Sequence, residues 1–308
     1  MKNRIDIHAD DFGYTFNTSK DIIECMKAGC LDSISIICNT SGFDRSAELL
    51  YDSIPELPFL PLMSVHLNFP EGKSESNAFP MSWSGLFLSS YGFKREQLKK
   101  ELKKEIRAQI EKTQEMIERC WEIADRNSIR RTQHAIRLDT HVHTHLIPVV
   151  WDSLIETVKE EKYEIEYIRN PKEPIGPFLK AANLWLSYSP VNIIKNRILM
   201  LYSAKADRFC DEHKIDKMYM CGLMMSGHMD YDRVKTVFPA LYEKAEKDGR
   251  KLELLFHPGL AYENEYSSEM DIANFKNFNS SDNRHIEKET VLNIREIMNQ
   301  GGYDDKKE

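Results

Sequence analysis

The sequence predicts a single α/β domain built on a parallel sheet. Three observations carry that expectation. Short apolar runs alternate with helix-period segments along the chain, no repeat or low-complexity linker interrupts them, and 308 residues with 41% hydrophobic content can bury one sizeable core.

Arg4–Ala9 reads as the first strand, followed by a helix over Asn17–Ala28 that stops at Gly29. Ser33–Asn39 is an Ile-rich strand, Asp44–Tyr51 a helix and Leu60–Phe69 a third strand. Phe93–Arg126 reads as one long helix with Ile106, Ile110, Met116, Ile117 and Cys120 on its apolar face, while Lys99–Lys104 alternates with glutamates as a solvated face does. Arg137–His143 is strand-like, Pro148 opens a helix at a position proline favours, and Glu164–Arg169 is a short strand. A helix over Asn192–Glu212, a strand over Met218–Cys221, a helix over Asp230–Asp248 and a strand over Lys251–Phe256 follow, with a last helix near Arg284–Gln300. The expected organisation is one domain over residues 1–300 with insertions near 73–92 and 170–190, then a frayed polar tail over 301–308.

A net charge of −7 argues against a general nucleic-acid binder or an anionic-membrane binder. No apolar run approaches the ~18–20 residues of a membrane span. Asp6, Asp10 and Asp11 fall where a signal peptide would carry its apolar core. A soluble cytoplasmic protein is expected, without nucleic-acid or membrane partners; a homodimer is compatible with the sequence. The six cysteines form no CxxC pair and read as small buried hydrophobes of a reducing compartment.

Chemistry-bearing residues gather at the C-terminal ends of the expected strands, where α/β barrels build their sites. Asp10 and Asp11 end the first, His66 the third, His141 and His143 the fourth, Arg169 the fifth and His257 the last. Asp10-Asp11-Phe12-Gly13 reads either as a strand-to-loop turn or as a carboxylate pair whose repulsion a nearby cation would relieve. If His141-Val142-His143-Thr144-His145 stays extended, its three imidazoles share one face, which favours a metal site. Taken singly, His66 reads as a satisfied core residue, His257 as a sheet-edge cap and Ser226–Asp230 as a helix start. Arg169 either pairs on the surface with Glu166 or Glu173, or orients a carboxylate or a sugar hydroxyl.

Together these segments resemble the YdjC-like (ChbG/HpnK) carbohydrate deacetylases. Ile7-His8-Ala9-Asp10-Asp11-Phe12-Gly13 is similar to that family's N-terminal ADDFG signature, and Val65-His66-Leu67-Asn68 with Glu71-Gly72 to its second motif. Leu138-Asp139-Thr140-His141-Val142-His143-Thr144-His145 is similar to its DSHxHxH motif, and Glu253–Gly259 to its closing E-x-x-x-HPG strand. The resemblance implies a distorted (β/α) barrel with fewer than eight strands, of the polysaccharide-deacetylase type. It also implies one divalent ion, magnesium or zinc, at the barrel mouth, and hydrolytic removal of acetyl from a small N-acetylated sugar. Carried over by position, Asp11, His66 and His141 would hold the metal, Asp10 would be the base and His257 the acid. Asp139 could instead fix an imidazole from behind. Arg169, His143, Glu71 and His228 are weaker candidates for substrate contact.

Two other readings stand beside this one. His141-x-His143 on a strand would also suit a metal-dependent amidohydrolase or phosphoesterase of another family, and a non-catalytic sugar-binding protein could keep the fold. The insertions carry Phe79, Trp83 and Phe87, and Phe178, Trp185 and Tyr188; these either pack as ordinary long loops or stack on a sugar and close the site to polymers.

Overall fold

A computed structural model describes residues 4–76, 79–301 and 303. Among them, seven strands form one all-parallel sheet: β1 (Ile5–Phe12), β2 (Ser33–Ile36), β3 (Leu62–Leu67), β4 (Ile136–Thr140), β5 (Ile165–Ile168), β6 (Met218–Cys221) and β7 (Lys251–Phe256). Their order is β5-β4-β3-β2-β1-β7-β6, so β1 lies between β2 and β7 and the sheet curls into an incomplete barrel whose open seam lies between β5 and β6. Helices on the outer face connect the strands, as parallel pairing requires, and three more follow β7. They are α1 (Phe16–Lys27), α2 (Phe43–Ser53), α3 (Trp83–Ser89), α4 (Arg95–Arg126), α5 (Pro148–Glu161), α6 (Ile175–Lys180), α7 (Pro190–His213), α8 (Tyr231–Lys247), α9 (Ile272–Asn274), α10 (Asn283–Leu292) and α11 (Ile294–Gly301).

Local chemistry sets these boundaries. The Thr15 hydroxyl accepts from the Thr18 amide to cap α1, and the Asp230 carboxylate accepts from the Arg233 amide at 3.0 Å to cap α8. Ser226–Asp230 thus does serve as a helix start. The single terminal helix expected near Arg284–Gln300 is two, because the chain breaks helical geometry at Asn293. In the expected tail, residues 302 and 304–308 lie outside the described residues. Tyr303 is not frayed: its ring sits 5.1 Å from Phe238 and 4.8 Å from Tyr242, against the core.

The sheet separates two environments. Outward-facing residues such as Ile7, Ala9, Ile34, Ile36 and Leu254 pack beneath the helices in the main apolar core. The inner face is polar: Asp6, His8 and Asp10 on β1 alternate with Ile7 and Ala9, and Ser33, Ser35, Asp139 and Glu253 are buried with them.

The seam is tied by the chain that leaves β5. The Met220 amide donates to Lys172 O at 3.0 Å, and the Glu173 carboxylate accepts the amides of Gly222, Leu223 and Met224 at 2.8, 3.1 and 2.7 Å. Burial of Glu173 pushes its pKa up to about 7, with those amides only partly offsetting it.

The aromatics of segments 73–92 and 170–190 mostly pack inward. Trp83 stacks on Phe87 and Phe79 lies against Phe69, while Phe178 is fully buried beneath Tyr188. Trp185, 55% exposed, is the exception.

Candidate active site

A bulge at the end of β1 builds the first part of the site. β1 pairs Ala9 with Ile34 and Phe12 with Ile36, which leaves one extra residue on β1. Asp11 takes it up with φ of 69°, a left-handed conformation rare outside glycine. In a regular strand Asp10 and Asp11 would face opposite ways. Here both turn into the barrel mouth, and each is only 3% exposed.

Asp11 meets two imidazoles from other strands. Its Oδ1 lies 3.6 Å from His66 Nε2 of β3 and 3.2 Å from His141 Nδ1, just beyond β4. Asp11, His66 and His141 form a buried group whose ligand-capable atoms all lie within 4.8 Å of one another. Bonds of ~2.0–2.2 Å to one divalent ion would place donor atoms roughly 3–3.5 Å apart, so this set fits such an ion in spacing and in chemistry. The tautomer fits as well: Asp139 Oδ1 takes His66 Nδ1 at 2.6 Å, which leaves Nε2 facing Asp11. Behind His141, Glu71 Oε1 lies 3.4 Å from Nε2.

Electrostatics point the same way. Burial opposes charge on His141, yet Asp11 and Glu71 carry its pKa up to about 10. The cluster therefore draws a proton into the place a cation would take. Burial likewise opposes ionisation of Asp11, and His141, His257 and His66 outweigh it to lower its pKa.

Asp10 sits beside this group under a different grip. Arg169, immediately after β5, holds its Oδ2 and Oδ1 through Nη1 and Nη2, both at 2.9 Å. Arg169 Nη2 also reaches Asp139 Oδ2 at 3.2 Å, and its Nε donates to Glu253 Oε1 at 2.8 Å. Tyr167 donates to the other Glu253 oxygen. Arg169 is thus a fully buried hub, with neither Glu166 nor Glu173 as its partner. Burial pushes Asp10 up, but Arg169, His66 and His8 hold it well below the usual carboxylate range. Asp139 is brought to about 2 against the same burial, chiefly by Arg169 and His66. His8, Asp10 and Asp139 also offer clustered metal donors, but the guanidinium already supplies their cation.

His257 follows β7 with its Nε2 4.0 Å from Asp10 Oδ2. Its backbone amide donates to Glu287 at 2.8 Å, and Arg284 grips Glu287 at 2.9 and 3.2 Å, so α10 fixes the loop. Burial lowers the pKa of His257 while Asp11, Asp10 and Glu287 resist.

The HVHTH segment is not extended. β4 ends at Thr140, and His141–Leu146 coils into 3-10 turns with Val142 and His143 in left-handed conformations, φ 47° and 56°. The three imidazoles therefore diverge. His145 turns inward between Thr140 Oγ1, 2.7 Å away, and Arg169 O at 2.8 Å, and so joins strand ends together. His143 keeps a buried Nδ1 without a hydrogen-bond partner; burial first, then the Arg169 charge, hold its pKa well below the usual value. Glu71 also accepts from Tyr14 Oη at 3.0 Å and Asn274 Nδ2 at 3.0 Å, which leaves little of it for a ligand. His228 is exposed beside Asn283, at 3.3 Å, and borders a small cleft with Tyr188, Met224 and Arg233. Among the described residues, none of its hydrogen bonds reaches Asp10, Asp11, His66 or His141.

The YdjC-like protein family model matches residues 4–122 and 128–293. The chain belongs to the YdjC-like family. Its relatives include a mouse protein named carbohydrate deacetylase, 28% identical over 176 residues, which are 55% of this chain and 51% of the relative. A protein of the same name from Oceanobacillus iheyensis is 26% identical over 171 residues, 55% of this chain and 67% of the relative. The chain spans about half the length of the mouse relative it matches. An Enterococcus faecalis V583 crystal structure, provisionally described as a cellobiose-phosphate cleavage protein, superposes with a TM-score of 0.52 at 15% identity, over 97% of this chain and 94% of that one. At that identity it speaks for the fold alone.

Proposed function

We propose that this chain is a metal-dependent carbohydrate N-deacetylase that cleaves acetyl from small N-acetylated sugars. The observation that carries the reading is the three-strand cluster of Asp11, His66 and His141 beside an Asp10 clamped by Arg169. Family membership and the names of the relatives support the substrate class.

In this account Asp11, His66 and His141 hold one divalent ion, and two imidazoles with one carboxylate favour zinc over magnesium. When bound, that ion supplies Lewis-acid polarisation of the acetyl carbonyl and acidification of a water. Asp10 stays ionised under the Arg169 fork and accepts the proton of the attacking water. His257, across from the same carboxylate, delivers a proton to the leaving amine. Asp139 and Glu71 orient the two imidazoles from behind.

The burial of Asp10, Asp11, His66 and His141, none above 6% exposed, favours a short sugar entering a recess over a polymer crossing a groove. No described helix is long and apolar enough to cross a membrane. Six buried cysteines accord with the reducing cytoplasm. The amidohydrolase reading needs His141 and His143 on one cation, and His143 stands outside the cluster.

The test is acetate release from N-acetylglucosamine, its β-linked disaccharide and colloidal chitin, with and without chelator. Chelator-sensitive release from the short sugars is expected. Release that ignores chelator contradicts the metal, and faster turnover on chitin contradicts the recessed site.

A further inference from the structure

Beneath the site, the inner barrel face holds a histidine that the proposed chemistry does not use. His8 of β1 is 0% exposed. Its Nδ1 lies 2.6 Å from Ser33 Oγ, and its Nε2 lies 2.7 Å from Ser35 Oγ and 3.0 Å from Asp10 Oδ1.

The hydroxyl protons fix the direction of these bonds. Ser33 donates its one proton to Asp6 Oδ1 at 2.5 Å, and Ser35 donates its own to Asp139 Oδ2. Asp6 meets Arg137 Nη2 at 3.3 Å, and Asp139 meets both Arg169 and His66. Paired in this way, both carboxylates are ionised and can only accept. Each serine oxygen is therefore left as an acceptor toward the imidazole. A neutral ring has one N–H, so it would turn a lone pair on Ser33 Oγ, or on Ser35 Oγ and Asp10 together. At this burial such a mismatch is costly.

We infer that His8 is a buried imidazolium that braces Asp10 and, through Ser35, Asp139. The charged groups around it agree. Asp6 and Asp10 face it from its own strand, Asp139 from β4 and Glu253 from β7, whereas Arg137 and Arg169 are the guanidiniums that reach these carboxylates. Four carboxylates against two guanidiniums leave an excess that an imidazolium reduces. His8 is thereby a positioning residue: it holds one Asp10 oxygen and, by way of Ser35, the carboxylate that orients His66. That role rests on the deacetylase reading; the charge on the ring does not.

Nitrogen-15 NMR of histidine-labelled, metal-free protein reads the charge directly, with the His8 signals assigned by their loss in His8→Gln. If that variant does not fold, the shift of the same signals in Ser33→Ala assigns them. Two protonated ring nitrogens are expected in the folded protein near neutral pH. A single protonated nitrogen near neutral pH overturns the inference. In acetate release, His8→Gln should lower kcat about 10–100-fold with KM and bound metal unchanged. An unchanged kcat removes the positioning role. If the wild type releases no acetate, the deacetylase reading fails and the NMR result still decides the charge.

Discussion

Arg169 and Asp10 meet fork to fork, with two guanidinium nitrogens 2.9 Å from the two carboxylate oxygens, deep inside the barrel. The third nitrogen, Nε, is held by Glu253 at 2.8 Å, so the fork cannot rotate. A lysine at 169 would keep the charge but lose the planar geometry. Arg169→Lys should therefore reduce acetate release roughly 10–100-fold while metal content stays intact. Arg169→Ala should cost more, and stability as well, because it strands Asp10, Asp139 and Glu253. Unchanged turnover in Arg169→Ala would leave the arginine a structural role alone.

Asp10→Asn separates base from ligand. The rate should fall on the order of 10²–10⁴-fold with bound metal unaffected. Loss of the metal instead would mean that Asp10 and Asp11 exchange or share their proposed roles.

Metal uptake should release a proton. His141 is raised to about 10 by Asp11 and Glu71, against the opposing effect of burial, so at neutral pH the metal-free ring is charged. A cation must displace that proton, and affinity should rise with pH until the ring's own pKa is passed. Calorimetry in buffers of different ionisation enthalpy measures the release. Binding without it would remove His141 from the ligand set.

Glu173 should give the stability curve a falling limb. Its folded pKa is about 7, above the ordinary 4.5. Between those values the folded protein keeps a proton that the unfolded chain has released, so stability falls as pH rises through this window and levels off above it. Glu173→Gln should flatten that limb in denaturant titrations at a series of pH values. An undiminished limb would assign it to other groups.

The alternation of strands and helices was legible because each β-run is short and bounded by turn residues; Met218–Cys221 and Lys251–Phe256 match residue for residue. The strand ends located Asp10, His66, Arg169 and His257 for the same reason. The path of His141–Leu146 was hidden, since neither Val142 nor His143 is a residue type that announces a left-handed conformation. The bulge at Asp11 was hidden likewise, because no glycine marks it. The polar inner face had a readable signal in the alternation of Asp6, His8 and Asp10, with Ser33 and Ser35 beside them. What sequence could not give is that five strand ends bring Asp10, Asp11, His66, His141, Arg169 and His257 to one point, since that depends on register. Nor does spacing along the chain reveal that Glu173 ties the β5–β6 seam.

Anomalous diffraction from crystals grown with zinc locates the ion itself. One strong peak bonded to Asp11, His66 and His141, at ~2.0–2.2 Å from each, is expected. A peak among His8, Asp10 and Asp139 with Arg169 displaced, or no ordered peak at the barrel mouth, would contradict it.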